Sequence, residues 1–205
     1  MANFDHTLIA FIAAHPAWAM LVIGITAFGE SFAFIGIIFP GTTVLVAAGT
    51  LVGTGVLNPV TTIIAGSIGA ILGDGVSFWI GQKFAPAIAN QWPFRTRPEM
   101  LLRGIHFFER FGWASIFIGR FFGPLRAVVT IAAGMMKMPV VPFYIANCLS
   151  AIIWAPAIVF SGALLGGVLS SGWSAEGKIT IIAVAAAILL AALYGAKRLL
   201  GVQSD

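Results

Sequence analysis

The chain has 205 residues, of which 60% are hydrophobic and only 9% are charged. Soluble domains average about 25% charged residues, so this composition indicates a polytopic membrane protein with a single membrane domain, 1–205. The only cysteine, Cys148, excludes an intramolecular disulfide and a multi-cysteine metal site. The formal charge of +4 does not indicate nucleic-acid binding, because the basic residues are distributed as signals of membrane topology.

The first apolar segments differ in length. Residues 4–14 are too short to cross a hydrocarbon core of ~30 Å, which predicts an interfacial position. Residues 17–38 are apolar except for Glu30 and are long enough for a full crossing. Pro40 and Gly41 then end any helix.

A short segment and a longer one follow this break. Residues 42–57 are apolar but too short for a comfortable crossing. Asn58 and Pro59 predict a turn and a helix start. Residues 60–82 predict a transmembrane helix that contains Asp74.

The next segment, 83–111, is polar and includes five of the eleven basic residues: Lys83, Arg95, Arg97, Arg103 and Arg110. Apolar residues recur there at helical spacing: Leu101, Ile105, Phe108 and Phe111. This pattern predicts an amphipathic helix at the membrane interface.

The last third of the chain predicts one interrupted segment and two spans. Residues 113–136 are apolar but broken at Gly123 and Pro124, while 140–168 and 179–196 are continuous. The positive-inside rule places the polar segment and the C-terminus in the cytoplasm. Two spans already connect these regions, so the interrupted segment must enter and leave on the cytoplasmic side as a re-entrant hairpin.

An internal repeat supports a second hairpin earlier in the chain. The order FIG, break, AAG occurs twice, with Phe34 and Gly49 15 positions apart in the first copy and Phe117 and Gly134 17 positions apart in the second. One span, 60–82, separates the copies, which predicts an inverted repeat as in many secondary transporters.

Two arginines flank the second break. Arg120 and Arg126 cannot lose their charge, and burial in hydrocarbon costs at least ~2.5–3.5 kcal/mol each. They therefore require a wet pocket, acidic partners or an anionic ligand, and the planar guanidinium is suited to phosphate. The alternative is that one of them reaches the cytoplasmic headgroups along its aliphatic stem.

Glu30 and Asp74 are the only acids in the apolar segments from residue 17 onward. Asp74 lies between two glycines, which permit close helix packing around a buried carboxylate. Each acid can be neutral, paired with an arginine, or a proton carrier. In a purely structural alternative, the pairs only connect the two repeats.

The sequence gives little sign of catalysis. Nothing has metal-ligand spacing, no histidine and acid accompany a candidate nucleophile, and there is no phosphate-binding loop. We therefore expect neither an enzyme nor a bound cofactor or metal.

Three segments together resemble the DedA family of bacterial membrane proteins, which shares its core with the VTT-domain lipid scramblases of eukaryotes. They are GESFAFIGIIFPGTTVLVAAGTL (29–51), GDGVSFWIGQKF (73–84) and FIGRFFGPLRAVVTIAAGMMKM (117–138). The resemblance covers roughly 16–168. It implies an all-α inverted repeat with two facing re-entrant hairpins, interfacial amphipathic helices and about three full transmembrane helices.

The boundaries expected are repeat 1 at about 4–83, repeat 2 at about 98–168 and an extra C-terminal transmembrane helix at about 178–197. The resemblance also implies transport of undecaprenyl phosphate across the inner membrane, with dependence on the proton-motive force described for family members. The lipid is the expected partner, and protons are a candidate second one.

By motif position, the paired arginines of the family match Arg120 and Arg126, and its acids match Glu30 and Asp74. The expected hairpin breaks are Pro40, Gly41 and Thr42 in the first repeat and Gly123 and Pro124 in the second. Many members have an acid where this chain has Thr42, which raises the alternative of translocation without proton coupling.

Three other functions stay open on the sequence. A non-selective phospholipid scramblase needs a hydrophilic groove but no proton step, and Thr42 favours it. In a proton-coupled cation antiporter the acids form the ion site, but two buried arginines oppose cation entry. An envelope assembly factor would not transport at all.

Overall fold

The computed structural model describes residues 15–36, 41–88, 90–92, 94–121, 123–172, 174 and 176. All regular secondary structure in these residues is α-helical. The helices are α1 (Pro16–Ser31), α2 (Gly41–Gly53), α3 (Pro59–Ile88), α4 (Pro98–Phe111), α5 (Ala114–Gly119), α6 (Gly123–Met135) and α7 (Val140–Ser170). The predicted segments 4–14 and 178–197, and Pro40 of the first break, lie outside the described residues.

Two of the described helices are long and apolar enough to cross a membrane, namely Pro59–Ile88 and Val140–Val168. They confirm the two helices predicted at 60–82 and 140–168. The first begins as expected, because the Asn58 side chain accepts a hydrogen bond from the Val60 N–H at 2.9 Å. It runs past the predicted end but bends at Phe84, two residues before Pro86, which cannot donate to the helix ladder.

The other helices in the apolar segments are short. At 1.5 Å per residue the 16 residues of α1 extend ~24 Å, less than a ~30 Å hydrocarbon core. In the apolar run 17–38, α1 ends at Ser31 and turns follow. This run is therefore not one continuous helix across the membrane. In the second repeat, α5 ends at Gly119 and α6 begins at Gly123.

The two AAG sequences of the internal repeat occupy equivalent contacts. Gly49 of α2 meets α7, where an added Cβ would lie 2.9 Å from the Gly162 Cα. Gly134 of α6 meets α3, where an added Cβ would lie 3.0 Å from the Gly81 Cα. Each repeat thus packs its second short helix against the long helix of the other repeat through a pair of glycines, as small residues allow in membrane helix packing.

Helix α4 is amphipathic, as predicted. Leu101, Gly104 and Phe107 are buried, while Arg103 and Arg110 are exposed. The other predicted apolar positions are half-buried: Ile105, Phe108 and Phe111. The buried face packs on α6, because Gly104 lies against Val128.

Candidate functional site

The four charged residues singled out in the sequence form two ion pairs inside the protein. Asp74, in the middle of α3, pairs with Arg120, which directly follows α5. Glu30, near the end of α1, pairs with Arg126 in the first turns of α6 at 3.1 Å. Each pair joins the first half of the chain to the second.

The two pairs are neighbours because α1 and α3 are in close contact. A Cβ on Gly73 would lie only 2.8 Å from the Ser31 Cβ. Ser31 follows Glu30 and Gly73 precedes Asp74, so the two acids lie at the same level of the helix pair. On the other side of Asp74, a Cβ on Gly75 would lie 2.8 Å from the Tyr144 hydroxyl. The two glycines therefore let neighbouring helices close around the carboxylate.

The Asp74–Arg120 pair is deeply buried. Asp74 is 1% exposed and Arg120 is 2% exposed. Removing each charge from water costs roughly several kcal/mol of folding free energy. The attraction between the two charges and their hydrogen bonds must offset that cost. A second partner on α7 supports the arginine, because the Asn147 Oδ1 also accepts a hydrogen bond from the Arg120 Nη2.

Asn147 was missed by the sequence reasoning. Its side chain is fully buried, and its Nδ2 donates to the Ile71 carbonyl of α3 at 3.1 Å. The signal available was the only amide side chain of the 140–168 segment. Buried amides need hydrogen-bond partners, so this one could have been marked as a contact of a neighbouring polar group.

The Glu30–Arg126 pair has a different environment. The Thr42 hydroxyl, at the start of α2, donates to the Glu30 Oε1. Room for Glu30 comes from Gly41, where a Cβ would lie 2.6 Å from the Glu30 Cβ. The Glu30 side chain remains 12% exposed, so this pair lies nearer to the protein surface than the first.

Trp154 of α7 is a further partner that the sequence reasoning missed. The Arg126 guanidinium carbon lies 5.0 Å from the centre of its ring, within the range of a cation–π interaction. Trp154 is 4% exposed. Its neighbours in the sequence are apolar, so no local pattern indicates this contact.

The residues expected at the breaks begin helices. Gly41 and Thr42 are the first residues of α2, and Gly123 and Pro124 are the first of α6. Proline is tolerated in a first helical turn because its missing N–H would have no partner there. The interruption between α5 and α6 thus includes Arg120 itself and Phe121.

Several atoms of the site have unused hydrogen-bonding capacity. Among the described residues, Arg120 Nε and Nη1, Asp74 Oδ1 and Glu30 Oε2 are buried and have no hydrogen-bond partner. Buried polar groups are usually satisfied, so such a concentration requires an explanation, for example a ligand. The guanidinium groups can donate hydrogen bonds to the oxygens of an anion. The carboxylates can take up a proton or accept a hydrogen bond. The described part of the chain contains no group of three His, Cys, Asp or Glu that could bind a metal ion.

Long apolar helices and charged pairs buried at helix interruptions define an α-helical membrane protein with an internal polar site. The VTT domain family model matches residues 39–164. The chain belongs to this family, the VTT-domain or DedA family of membrane proteins.

Curated relatives agree with this assignment. The chain is 33% identical over 160 residues to inner membrane protein YabI of Escherichia coli K12, covering 78% of this chain and 63% of YabI. It is 31% identical over 159 residues to an uncharacterized membrane protein of Buchnera aphidicola (strain APS), covering 78% of this chain and 62% of that protein. The match therefore spans less than two thirds of both relatives.

Another relative is matched over more of its length. An uncharacterized membrane protein of Mycobacterium tuberculosis H37Rv is 32% identical over 186 residues, which is 85% of this chain and 84% of that protein. No solved structure gives a significant match.

Proposed function

We propose that this protein is a non-enzymatic lipid transporter of the bacterial inner membrane, which moves undecaprenyl phosphate with Arg120 and Arg126 as phosphate ligands. The observation that carries this function is that the buried Arg120 has two nitrogens without partners in the described residues. A permanent cation with free donors, beside a helix interruption, is suited to an anionic headgroup. Undecaprenyl phosphate is the lipid that the family resemblance implies.

The short helices support a pathway for the headgroup. We propose that α1 with α2, and α5 with α6, form two re-entrant hairpins that enter from opposite faces. None of the four is long enough to span ~30 Å, and the glycine contacts repeat between the two halves. The headgroup would cross between the hairpins while the lipid tail stays in the bilayer.

The acids set the condition under which a phosphate binds. Two arginines and two ionised acids sum to zero formal charge, so an anion gains little from the ionised cluster as a whole. Phosphate would displace Asp74 or Glu30 from its arginine, or bind as one acid takes up a proton. This exchange is the link we propose between transport and the proton-motive force.

One contact favours a second candidate, the non-selective phospholipid scramblase. Glu30 accepts a hydrogen bond from the hydroxyl of Thr42, which does not titrate in the physiological range. The family resemblance implies an acid at the position of Thr42 in many members. A cluster with one acid fewer would have less capacity for proton exchange. Such a protein would move zwitterionic lipids as readily as lipid phosphates.

Reconstitution into liposomes tests the two candidates. Labelled undecaprenyl phosphate and labelled phosphatidylethanolamine would be assayed separately, with and without an imposed pH gradient. We expect transport of the lipid phosphate and little transport of phosphatidylethanolamine. Arg120→Gln removes a site arginine in the same assay. Its matched control is Arg103→Gln, which removes an exposed arginine of α4. Equal transport of both lipids would favour the scramblase, and transport of neither would refute both functions.

A further inference from the structure

Helix α7 contacts both site arginines through two residues that have no formal charge. Asn147 contacts Arg120, and Trp154 lies against Arg126. The two are seven residues apart, close to the ~7.2 residues of two helical turns, so they project from one face of the helix. Both are buried, at 0% and 4% exposure.

Asn147 restrains one nitrogen of Arg120 and leaves the others without partners. Its Oδ1 and the Asp74 carboxylate both accept from Nη2, while Nε and Nη1 have no partner in the described residues. Asn147 is itself restrained, because its Nδ2 donates to the Ile71 carbonyl at 3.1 Å. The guanidinium is thereby attached to both long helices, α3 and α7.

Trp154 acts on Arg126 in a comparable way. Its ring lies 5.0 Å from the guanidinium carbon, and Arg126 also pairs with Glu30 at 3.1 Å. An aromatic face attracts a cation through its quadrupole and adds no negative charge. A desolvated pair of this kind contributes more than an exposed one.

We propose that Asn147 and Trp154 are positioning residues, which orient Arg120 and Arg126 for a phosphate headgroup without further neutralising them. The identity of the ligand in this inference, a phosphate headgroup, rests on the proposed function. The reason for neutral partners is the charge count: with Asp74 and Glu30 ionised the cluster is already neutral, and one more acid would make it negative. An amide and an indole restrain the arginines and leave their charge available to an anion.

Asn147→Asp separates this role from a merely structural one. The variant keeps an oxygen that accepts from Arg120 but loses the Nδ2 donation to the Ile71 carbonyl, so a structural role predicts a lower melting temperature with near-normal affinity for undecaprenyl phosphate in the folded fraction. Positioning by a neutral group predicts that affinity for undecaprenyl phosphate in nanodiscs falls at least about tenfold in the folded fraction, because the added negative charge neutralises Arg120. Asn147→Leu, which removes the acceptor, should weaken binding by about tenfold. Ser150→Ala is the control, because Ser150 is buried on α7 and donates to the backbone carbonyl of Asn147.

Trp154 is tested with a matched pair of aromatic substitutions. Trp154→Leu should lower affinity for undecaprenyl phosphate about fivefold to thirtyfold, and Trp154→Phe should restore most of it, because an aromatic face remains. Trp79→Leu is the control, since Trp79 is 53% exposed and has Lys83 Nζ at the same 5.0 Å from its ring.

A spectroscopic measurement keeps the inference independent of transport. Arginine Nε–H resonances of 15N-arginine-labelled protein would be assigned with Arg120→Lys and Arg126→Lys. We expect Trp154→Leu to move the Arg126 resonance by loss of the ring current, and Trp79→Leu to leave it in place. An unmoved Arg126 resonance, or normal lipid-phosphate affinity in Asn147→Asp, would overturn the inference. If the wild-type protein itself fails to bind undecaprenyl phosphate, the proposed function falls. The shifts of the Arg120 resonance in Asn147→Leu and of the Arg126 resonance in Trp154→Leu then decide alone whether the two residues position the arginines.

Discussion

The guanidinium of Arg126 lies 3.1 Å from the carboxylate of Glu30, where α6 of the second repeat meets α1 of the first. Neither side chain belongs to one of the two long apolar helices. The contact therefore connects two short helices that border interruptions in apolar sequence, since α1 ends at one and α6 begins at the other. Such interruptions are tolerated at membrane depth where the freed backbone groups are buried in protein or line a cavity.

Lysine at either arginine position should reduce lipid-phosphate transport. Arg120→Lys and Arg126→Lys keep the positive charge but lose the planar fork of donors. We expect transport in liposomes to fall at least about tenfold, because charge-assisted hydrogen bonds contribute about 1.5–3 kcal/mol. The inserted, folded fraction should remain close to wild type. Full transport by both variants would exclude a phosphate site built on these guanidinium groups.

The buried pair Asp74–Arg120 should show strong coupling in stability. Asp74→Asn and Arg120→Gln each leave one buried charge without its partner, at a cost of about 3–5 kcal/mol. The double variant removes both charges and should recover most of that loss. Unfolding in detergent by denaturant titration measures all three variants. Additive losses in the double variant would mean that the two residues do not depend on one another.

Alanine at the repeated glycine contact should destabilise the protein. In Gly134→Ala the new Cβ would lie 2.9 Å from the Gln82 backbone nitrogen and 3.0 Å from the Gly81 Cα, so backbone must move. Overpacking of this kind costs about 1–3 kcal/mol. The control is Gly167→Ala on α7, where no described atom lies within 4 Å of the new Cβ. A melting temperature for Gly134→Ala equal to that of the control would contradict the close crossing of α6 and α3.

The topology of the second hairpin can be tested by cysteine labelling in a Cys148→Ala background. Trp113 and Met136 lie at the two ends of α5 and α6, and they are 61% and 44% exposed. If this segment enters and leaves on one side, Trp113→Cys and Met136→Cys should both react with an impermeant reagent from the cytoplasmic face. Labelling of Met136→Cys only from the periplasmic face would refute the re-entrant assignment.

Much of the helix pattern could be predicted from local chemistry. Asn58 and Pro59 mark the start of α3, and the spacing of apolar residues marks α4, because caps and periodicity act over a few residues. The C-terminal boundary of α1 could not be predicted in this way. Residues 17–38 form one apolar run in the sequence. Only the structure shows that the helix ends at Ser31 and that a turn follows, in which the Gly36 N–H donates to the Phe32 carbonyl at 2.7 Å.

The sequence alone determined that this is a helical membrane protein with two arginines and two acids where charge is costly, since desolvation is a property of each residue and its apolar neighbours. It did not determine which acid meets which arginine. Only the tertiary structure decided that Asp74 pairs with Arg120 and Glu30 with Arg126, and that Asn147 and Trp154 complete the site from α7. These contacts depend on glycine-mediated crossings between segments far apart in the chain. No local pattern encodes the rotation of one helix against another.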